Sequence, residues 1–340
     1  MDADQPLLEI RDLKTHFHIR QGTVRAVDGV SLSVFPGQTL AIVGESGCGK
    51  SITAQSILRI LPRAGRIEHG HIHLQLSGGD PSRGEIVDLV GLNPKGGAMR
   101  EIRGGEIGMI FQEPMSTFSP VYTIGHQIAE AARLHRTTDD IEPRELVLDM
   151  LAHVGFAHPD RTWSQYPHEL SGGMRQRAMI AMALIGRPRI LIADEPTTAL
   201  DVTTEAQILR LMKRLQAEFG MAIIFITHDL GVVARMADQV AVMYLGNIVE
   251  QGDVDTVFHA PRHPYLKALL RSVPRLDPAE NIGLEPISGM VPDPFSRPAG
   301  CPFHPRCPEF MPDTCDTAVP QLLPAVAEPG RTRAACHLYT

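Results

Sequence analysis

The chain has 340 residues, 43% hydrophobic and 21% charged, with 30 glycines and 27 prolines. That composition is ordinary for a folded protein and excludes collagen-like or wholly disordered chains. Lys and Arg number 32 against 39 Asp and Glu, a net charge of −7. The basic excess by which proteins grip nucleic-acid backbones is missing, so no nucleic-acid partner is expected. No run approaches the roughly eighteen apolar residues of a membrane-spanning helix. The acidic start of the chain also lacks the basic and apolar regions of a secretion signal. The expectation is a cytosolic protein, with any membrane role reached through a partner.

In chain order, Leu7–Ile19 and Val24–Val34 read as strands rich in β-branched and alternating apolar residues. Thr39–Val43 is a short continuous apolar run, as expected of a strand covered on both faces. Gly44-Glu45-Ser46-Gly47-Cys48-Gly49-Lys50-Ser51 follows, and Ser51–Leu61 reads as a helix. The pattern G-x-x-x-x-G-K-[ST] between strand and helix is a phosphate loop. Its glycines let successive backbone N–H groups turn toward phosphate oxygens. Lys50 can reach the β- and γ-phosphates, and the Ser51 hydroxyl can ligate Mg²⁺. Cys48 fills a position that the pattern leaves free.

Further strands are predicted at His71–Leu76, Ile86–Val90 and Ile107–Phe111, with Ser77–Gly97 a surface excursion. From about Ser116 to Pro167 no strong strand is visible. Ile128–Leu134 and Arg144–Val154 have helical spacing, which predicts a helical insertion. In Leu170-Ser171-Gly172-Gly173-Met174, Ser171 is a good N-cap and the two glycines leave backbone N–H groups open. This is a second candidate anion site, at the head of a helix predicted over Met174–Ile185. The strand Ile190–Ala193 ends in Asp194 and Glu195. Asp194 is placed to hold Mg²⁺, and Glu195 to polarise an attacking water. A helix over Thr203–Phe219, a strand over Ala222–Ile226 and a closing strand pair over Met243–Gln251 complete the pattern. His228 falls at a carboxyl strand end, where parallel sheets gather their ligand loops.

Fifteen of the 27 prolines lie from Pro261 onward, and four of the five cysteines lie in the last 40 residues. A boundary near Phe258 is expected, dividing an α/β domain (1–258, helical subdomain about 113–172) from a short loop-rich domain (259–340). Cys301, Cys307, Cys315 and Cys336 are spaced C-x₅-C-x₇-C-x₂₀-C. A cytosolic compartment disfavours disulfides. Incidental thiols remain possible, but a four-thiolate metal site fits the clustering best, either [4Fe–4S] or zinc. Spacing does not decide between those metals.

With these elements in place, the sequence resembles the ATP-binding cassette family of transporter ATPases over about Leu7 to Phe258. The resemblance implies a P-loop nucleotide-binding fold with a mixed sheet, an antiparallel β-subdomain and a helical subdomain. It implies ATP and Mg²⁺ as ligands. Gln112 then occupies the Q-loop beside Mg²⁺ and the lytic water. Ala199-Leu200-Asp201 resembles the D-loop, His228 the switch histidine, and Phe17 the aromatic residue that stacks on adenine. Ser171, Gly172 and Gly173 form the signature that closes over a partner subunit's ATP.

A narrower resemblance, to oligopeptide and dipeptide importers, rests on Phe111–Met115, Gln165–Arg177, His263-Pro264-Tyr265 and Leu269–Pro274. The Gly-Gly-Met-Arg-Gln-Arg form of Gly172–Arg177 is similar to the D-type subunit rather than its F-type partner. That resemblance implies a heterodimer with an F-type paralogue on the cytoplasmic face of the membrane. Two permease subunits and an extracytoplasmic peptide-binding protein complete the assembly, with the permease received near Glu113–Tyr122. Some members of the subfamily carry an iron–sulfur cluster in the corresponding C-terminal segment, which favours [4Fe–4S] over zinc. Related importers of nickel, glutathione or antimicrobial peptides, and a soluble cassette ATPase acting on nucleic acid or ribosomes, are the alternatives.

Overall fold

The N-terminal alternation of apolar and polar residues folds as two long strands, β1 (Leu8–Ile19) and β2 (Gly22–Val34). The computed structural model describes residues 5–76, 85–112, 117–135, 141–198, 200–272, 287–324 and 332–339. Next come β3 (Thr39–Val43), α1 (Lys50–Ile57), β4 (Gly65–Gln75), β5 (Ile86–Asp88), α2 (Gly97–Glu101) and β6 (Ile107–Ile110). The helical stretch holds α3 (Ile124–His135), α4 (Pro143–His153), α5 (Pro159–Ser164) and α6 (Gly172–Leu184). After it come β7 (Ile190–Asp194), α7 (Val202–Phe219), β8 (Ala222–Thr227), α8 (Leu230–Met236), β9 (Gln239–Tyr244) and β10 (Asn247–Asp253). The chain closes with α9 (Val254–His259), α10 (Pro264–Arg271), β11 (Leu323–Pro324) and β12 (Thr332–Ala334). No described helix is long and apolar enough to cross a membrane.

Contacts divide the chain into two units, one of residues 1–8, 33–39 and 73–226, the other of 9–32, 40–72 and 227–340. In the first, β6, β7 and β8 run parallel, with Ile107 opposite Ile190 and Ile190 opposite Ala222. Every residue of β7 and β8 is buried. Such strands need apolar side chains on both faces, which is why they read as unbroken apolar runs. Helices α3, α4, α5 and α6 pack on one another in this unit. Asp201 caps α7, and Gly220 ends it in the left-handed conformation at φ 66.

In the second unit, β3 runs parallel to β9, pairing Leu40 with Gln239 and Val43 with Val242. β9 turns into antiparallel β10, and β10 in turn pairs with β12, Glu250 opposite Ala334. One hydrophobic cluster joins Ala41 and Val43 of β3 to Val242 and Tyr244 of β9 and to Tyr265 and Phe303 from the C-terminal segment. The rings of Tyr244 and Tyr265 lie 4.7 Å apart, and Phe303 meets Tyr244 edge-on at 5.2 Å. Contacts of this kind contribute about 0.5–1.5 kcal/mol each beyond area burial.

Three differences from the sequence reading stand out, two of them with a local cause. Helix α1 stops at Ile57 rather than Leu61, because Arg59 takes φ 56 and Pro62 disfavours helix at the residue before it. Strand β4 starts at Gly65, ahead of the predicted His71. Helix α10 forms within a stretch read as loop-rich. Pro264 occupies its first turn, where no N–H is needed, and the His263 ring accepts the N–H of Tyr265 as a cap. Most of the predicted excursion Ser77–Gly97, residues 77–84, lies outside the described residues.

Candidate nucleotide site

Strand β3 delivers the chain into the Gly44–Gly49 loop, and α1 leads it out. Two glycines are required by close backbone approach. A Cβ on Gly44 would fall 2.2 Å from the Met243 carbonyl oxygen, and one on Gly49 2.1 Å from that of Ala26. Both also sit at positive φ, 152 and 107. The Lys50 ammonium is buried and donates to the carbonyls of Gly44 at 2.7 Å and Glu45 at 3.1 Å. Ser46 and Gly47 lie exposed at the tip, with Ser51 half-buried beside Lys50. Burial pushes the Cys48 thiol pKa up, which suits a small packing residue rather than a reactive one.

Phe17 is half-buried on β1 with its ring against Gly65, whose added Cβ would lie 2.9 Å from it. Its histidine neighbours face other side chains. His18 meets Glu68 at 2.8 Å and Thr23 at 3.2 Å, while His16 faces Asp28 at 3.7 Å.

In the first unit, Asp194 ends β7 with only 4% exposure. Glu195 follows at φ 47, a strained conformation for a residue with a Cβ, and its N–H is held by the Ile226 carbonyl at 2.9 Å. The Glu195 carboxylate accepts from Gln112 Nε2 at 3.1 Å and from the Thr198 hydroxyl at 2.9 Å. Two residues named from sequence are thus brought together, and Thr198 is added to them. Glu113, Pro114, Met115 and Ser116 beside Gln112 lie outside the described residues, as does Ala199.

The Ser171 hydroxyl caps α6 by accepting the N–H of Met174 at 3.3 Å, and Ser171 and Gly172 are exposed. The segment before it is held by Glu169, whose carboxylate accepts the Tyr166 N–H at 2.6 Å. Asp201 accepts the N–H groups of Thr203 and Thr204, both at 3.0 Å, and the Thr204 hydroxyl at 2.6 Å. These bonds, the hydroxyl's first, lower its pKa. In the structure Asp201 therefore acts as a helix cap. In the second unit His228 is exposed just after β8, and Asp229 beside it caps α8.

The four C-terminal cysteines gather in the second unit. Cys301, Cys315 and Cys336 are buried and Cys307 is half-buried. The Cys301 N–H donates to the Cys315 carbonyl at 2.8 Å. Burial first, then the neighbouring thiols, push Cys307 up to about 11, and the same causes raise Cys301 and Cys336. Thiols that disfavour one another's ionisation in this way are those a cation would bind as thiolates. His304 and His337 each donate one ring nitrogen to a carbonyl, of Cys301 at 3.0 Å and Ala318 at 2.9 Å. No three of the cysteine sulfurs lie within 4.8 Å of one another. Thiolates around one tetrahedral zinc stand about 3.8 Å apart, given Zn–S near 2.3 Å.

The sequence reading missed what holds the loop from behind. The Tyr265 hydroxyl accepts the N–H of Glu45 at 2.9 Å, and the Arg306 guanidinium pairs with the Glu45 carboxylate. Glu250 anchors this region by accepting the N–H groups of Arg262 at 3.0 Å and His263 at 2.6 Å. The His-Pro-Tyr and Arg-Cys-Pro triplets were the available signals, but neither names its partner.

A glycine loop shaped to surround phosphate, at the end of a buried parallel strand, makes this a P-loop nucleotide-binding protein. The profile of the family described as ABC transporter matches residues 27–198, and that of the Oligopeptide/dipeptide transporter, C-terminal region, matches residues 249–315. The chain belongs to the ABC transporter family and is an ATPase of that family.

A relative from Brucella ovis, named as a peptide import ATP-binding protein, is 53% identical and spans 94% of both chains. The dipeptide transport ATP-binding protein DppD of Bacillus subtilis is 49% identical over 93% of this chain and 90% of its own. Among solved structures, the cassette CbiO1 of Clostridium perfringens aligns over 76% of this chain and 92% of its own, with TM-score 0.60 and 26% identity. The dimeric cassette MJ0796, bound to ADP and phosphate, aligns over 73% of this chain and 98% of its own. Its TM-score of 0.61 at 24% identity is a likeness of fold.

Proposed function

We propose that this chain powers uptake of di- or oligopeptides, as the ATP-hydrolysing subunit on the cytoplasmic face of a membrane permease. The observation that carries the peptide reading is the importer-type C-terminal region, matched over residues 249–315, joined to the cassette. An F-type paralogue as dimer partner, two permease subunits and an extracytoplasmic peptide-binding protein belong to the same reading. So does the division of the chain into a cassette (1–258) and a C-terminal part (259–340).

In this reading the Gly44–Ser51 amides and Lys50 hold the phosphates, and Phe17 carries adenine. Ser51, Gln112 and Asp194 offer oxygen ligands, a donor set that suits Mg²⁺. Bound there, Mg²⁺ would neutralise phosphate charge. Glu195 accepts a proton from the attacking water, oriented for that by Gln112 and Thr198. The exposed head of α6, with Ser171, Gly172 and Gly173, serves the partner subunit's nucleotide through its open amides. His228 and Asp201 act at the γ-phosphate and across the dimer.

The same proposal gives Cys301, Cys307, Cys315 and Cys336 to a [4Fe–4S] cluster rather than zinc. What supports it is four thiols in one segment, one for each iron of such a cluster. Purified anaerobically, the protein is expected to hold about four iron and four sulfide per chain. One zinc without sulfide would reverse that choice.

Transport is tested by uptake of labelled dipeptide, oligopeptide and Ni²⁺ into cells carrying the wild-type chain or Glu195→Gln. Loss of peptide uptake alone is expected. Loss of Ni²⁺ uptake with peptide uptake intact would overturn the peptide reading.

A further inference from the structure

A carboxylate is an awkward neighbour for a polyphosphate, yet Glu45 is the second residue of the phosphate loop and the loop's only acid. The C-terminal segment answers that charge. Arg306 donates to Glu45 through Nη1 at 2.7 Å and Nη2 at 3.2 Å, a two-point fork that fixes the direction of the carboxylate as well as its charge. The Arg306 side chain is only 4% exposed. Its Nε donates to the Ser288 carbonyl at 3.1 Å, and its guanidinium lies over the rings of Tyr244 at 5.9 Å and Phe303 at 6.0 Å. The backbone is held too, since the Tyr265 hydroxyl accepts the Glu45 N–H.

Both contacts originate far along the chain. Arg306 is 261 positions from Glu45, and Tyr265 is 220. Arg306 rides on the turn between Cys301 and Cys307, which is closed by N–H donation from His304 to Cys301 and from Arg306 to Phe303, both at 3.0 Å.

We propose that Arg306 and Tyr265 are positioning residues for the phosphate loop, cancelling the charge of Glu45 and anchoring its amide, so that the cysteine-bearing segment sets the loop's affinity for nucleotide. This rests on the reading of Gly44–Ser51 as the nucleotide loop. Without Arg306 the Glu45 carboxylate faces the phosphates unpaired and repels them. Removing both charges together relieves that repulsion. A residue that only supported folding would not follow this pattern.

The experiment is calorimetric titration of the full-length chain with ADP. Arg306→Gln is expected to raise Kd about tenfold. Combining it with Glu45→Gln should return Kd to within about threefold of wild type. An unchanged Kd in Arg306→Gln would overturn the proposal. So would a weakened Kd that Glu45→Gln fails to rescue. Breaking one side of a buried ion pair is strongly destabilising, so Tyr265→Phe, which keeps the ring and loses only the hydroxyl, is the second variant. Its Kd should rise about threefold; no change there overturns the anchoring role whether or not Arg306→Gln folds. Lys50→Ala separates the two layers of the argument. If it binds ADP as well as wild type, the reading of the loop itself has failed.

Discussion

Glu45 of the second unit and Glu195 of the first are both carboxylates that the sequence motifs single out, and they are held in opposite ways. Glu45 is locked by a guanidinium that is 4% exposed and packed against the neighbouring rings of Tyr244 and Phe303. Glu195 is held by two exposed side chains, Gln112 and Thr198, on a residue strained to φ 47. A half-buried two-point ion pair has few alternatives, whereas exposed single hydrogen bonds exchange readily with water. On the proposed reading, the contrast gives the phosphate loop to binding, in a geometry set in advance, and the end of β7 to a step whose partners must rearrange. It also separates the expected consequences: damage behind the loop moves affinity, and damage around Glu195 moves turnover.

The sharpest way to break that contrast is Glu195→Gln. It keeps the shape and removes the proposed base, so kcat for ATP hydrolysis should fall at least about a hundredfold. Nucleotide Kd should stay within about twofold, and a comparable loss in Kd would merge the two regions.

A second test concerns the anchor behind the loop. Burial raises the Glu250 carboxyl from 4.5 to about 7 and lowers the His263 imidazole from 6.5 to about 3. Glu250 contributes stability that is complete below pH 4.5 and lost as pH rises through 7, because only the folded state keeps the proton. His263 contributes stability that is complete above pH 6.5 and lost as pH falls through 3, because only the unfolded chain takes a proton. Between pH 4.5 and 6.5 the two slopes oppose, and wild-type stability should be nearly flat from this pair. Glu250→Gln removes one slope, leaving stability that climbs by about 1.4 kcal/mol per pH unit across that window. Urea melts at several pH values check this, and parallel profiles for both proteins would contradict it.

The smallest expected effect sharpens the other side. Thr198→Val deletes one hydrogen bond to the Glu195 carboxylate and should lower kcat about tenfold with Kd unchanged.

What could be read from sequence was local. The phosphate loop announces itself because its glycines, lysine and serine act through backbone neighbours within eight positions. Strands β7 and β8 are visible as apolar runs because both their faces are buried. The head of α6 shows in Ser171-Gly172-Gly173 because capping is a three-residue event. The Glu195–Thr198 contact was within reach, being three residues apart after a strand, but nothing in the pattern marks a threonine as a partner. The brace behind Glu45 was out of reach. Its charges are hundreds of positions apart, and Arg306 looks like any arginine until the fold buries it. Helix α10 was hidden for a related reason. Its cap is a histidine ring rather than the usual hydroxyl or carboxylate, and its first residue is a proline in a proline-rich stretch.

The most direct test measures kcat for ATP and Kd for ADP side by side in the full-length wild type, Glu195→Gln and Tyr265→Phe. The account requires Glu195→Gln to lose turnover with affinity kept, and Tyr265→Phe to lose affinity with turnover at saturating ATP kept. Variants that shift both quantities together, or that exchange these signatures, would contradict the division between a braced binding loop and an adjustable catalytic carboxylate.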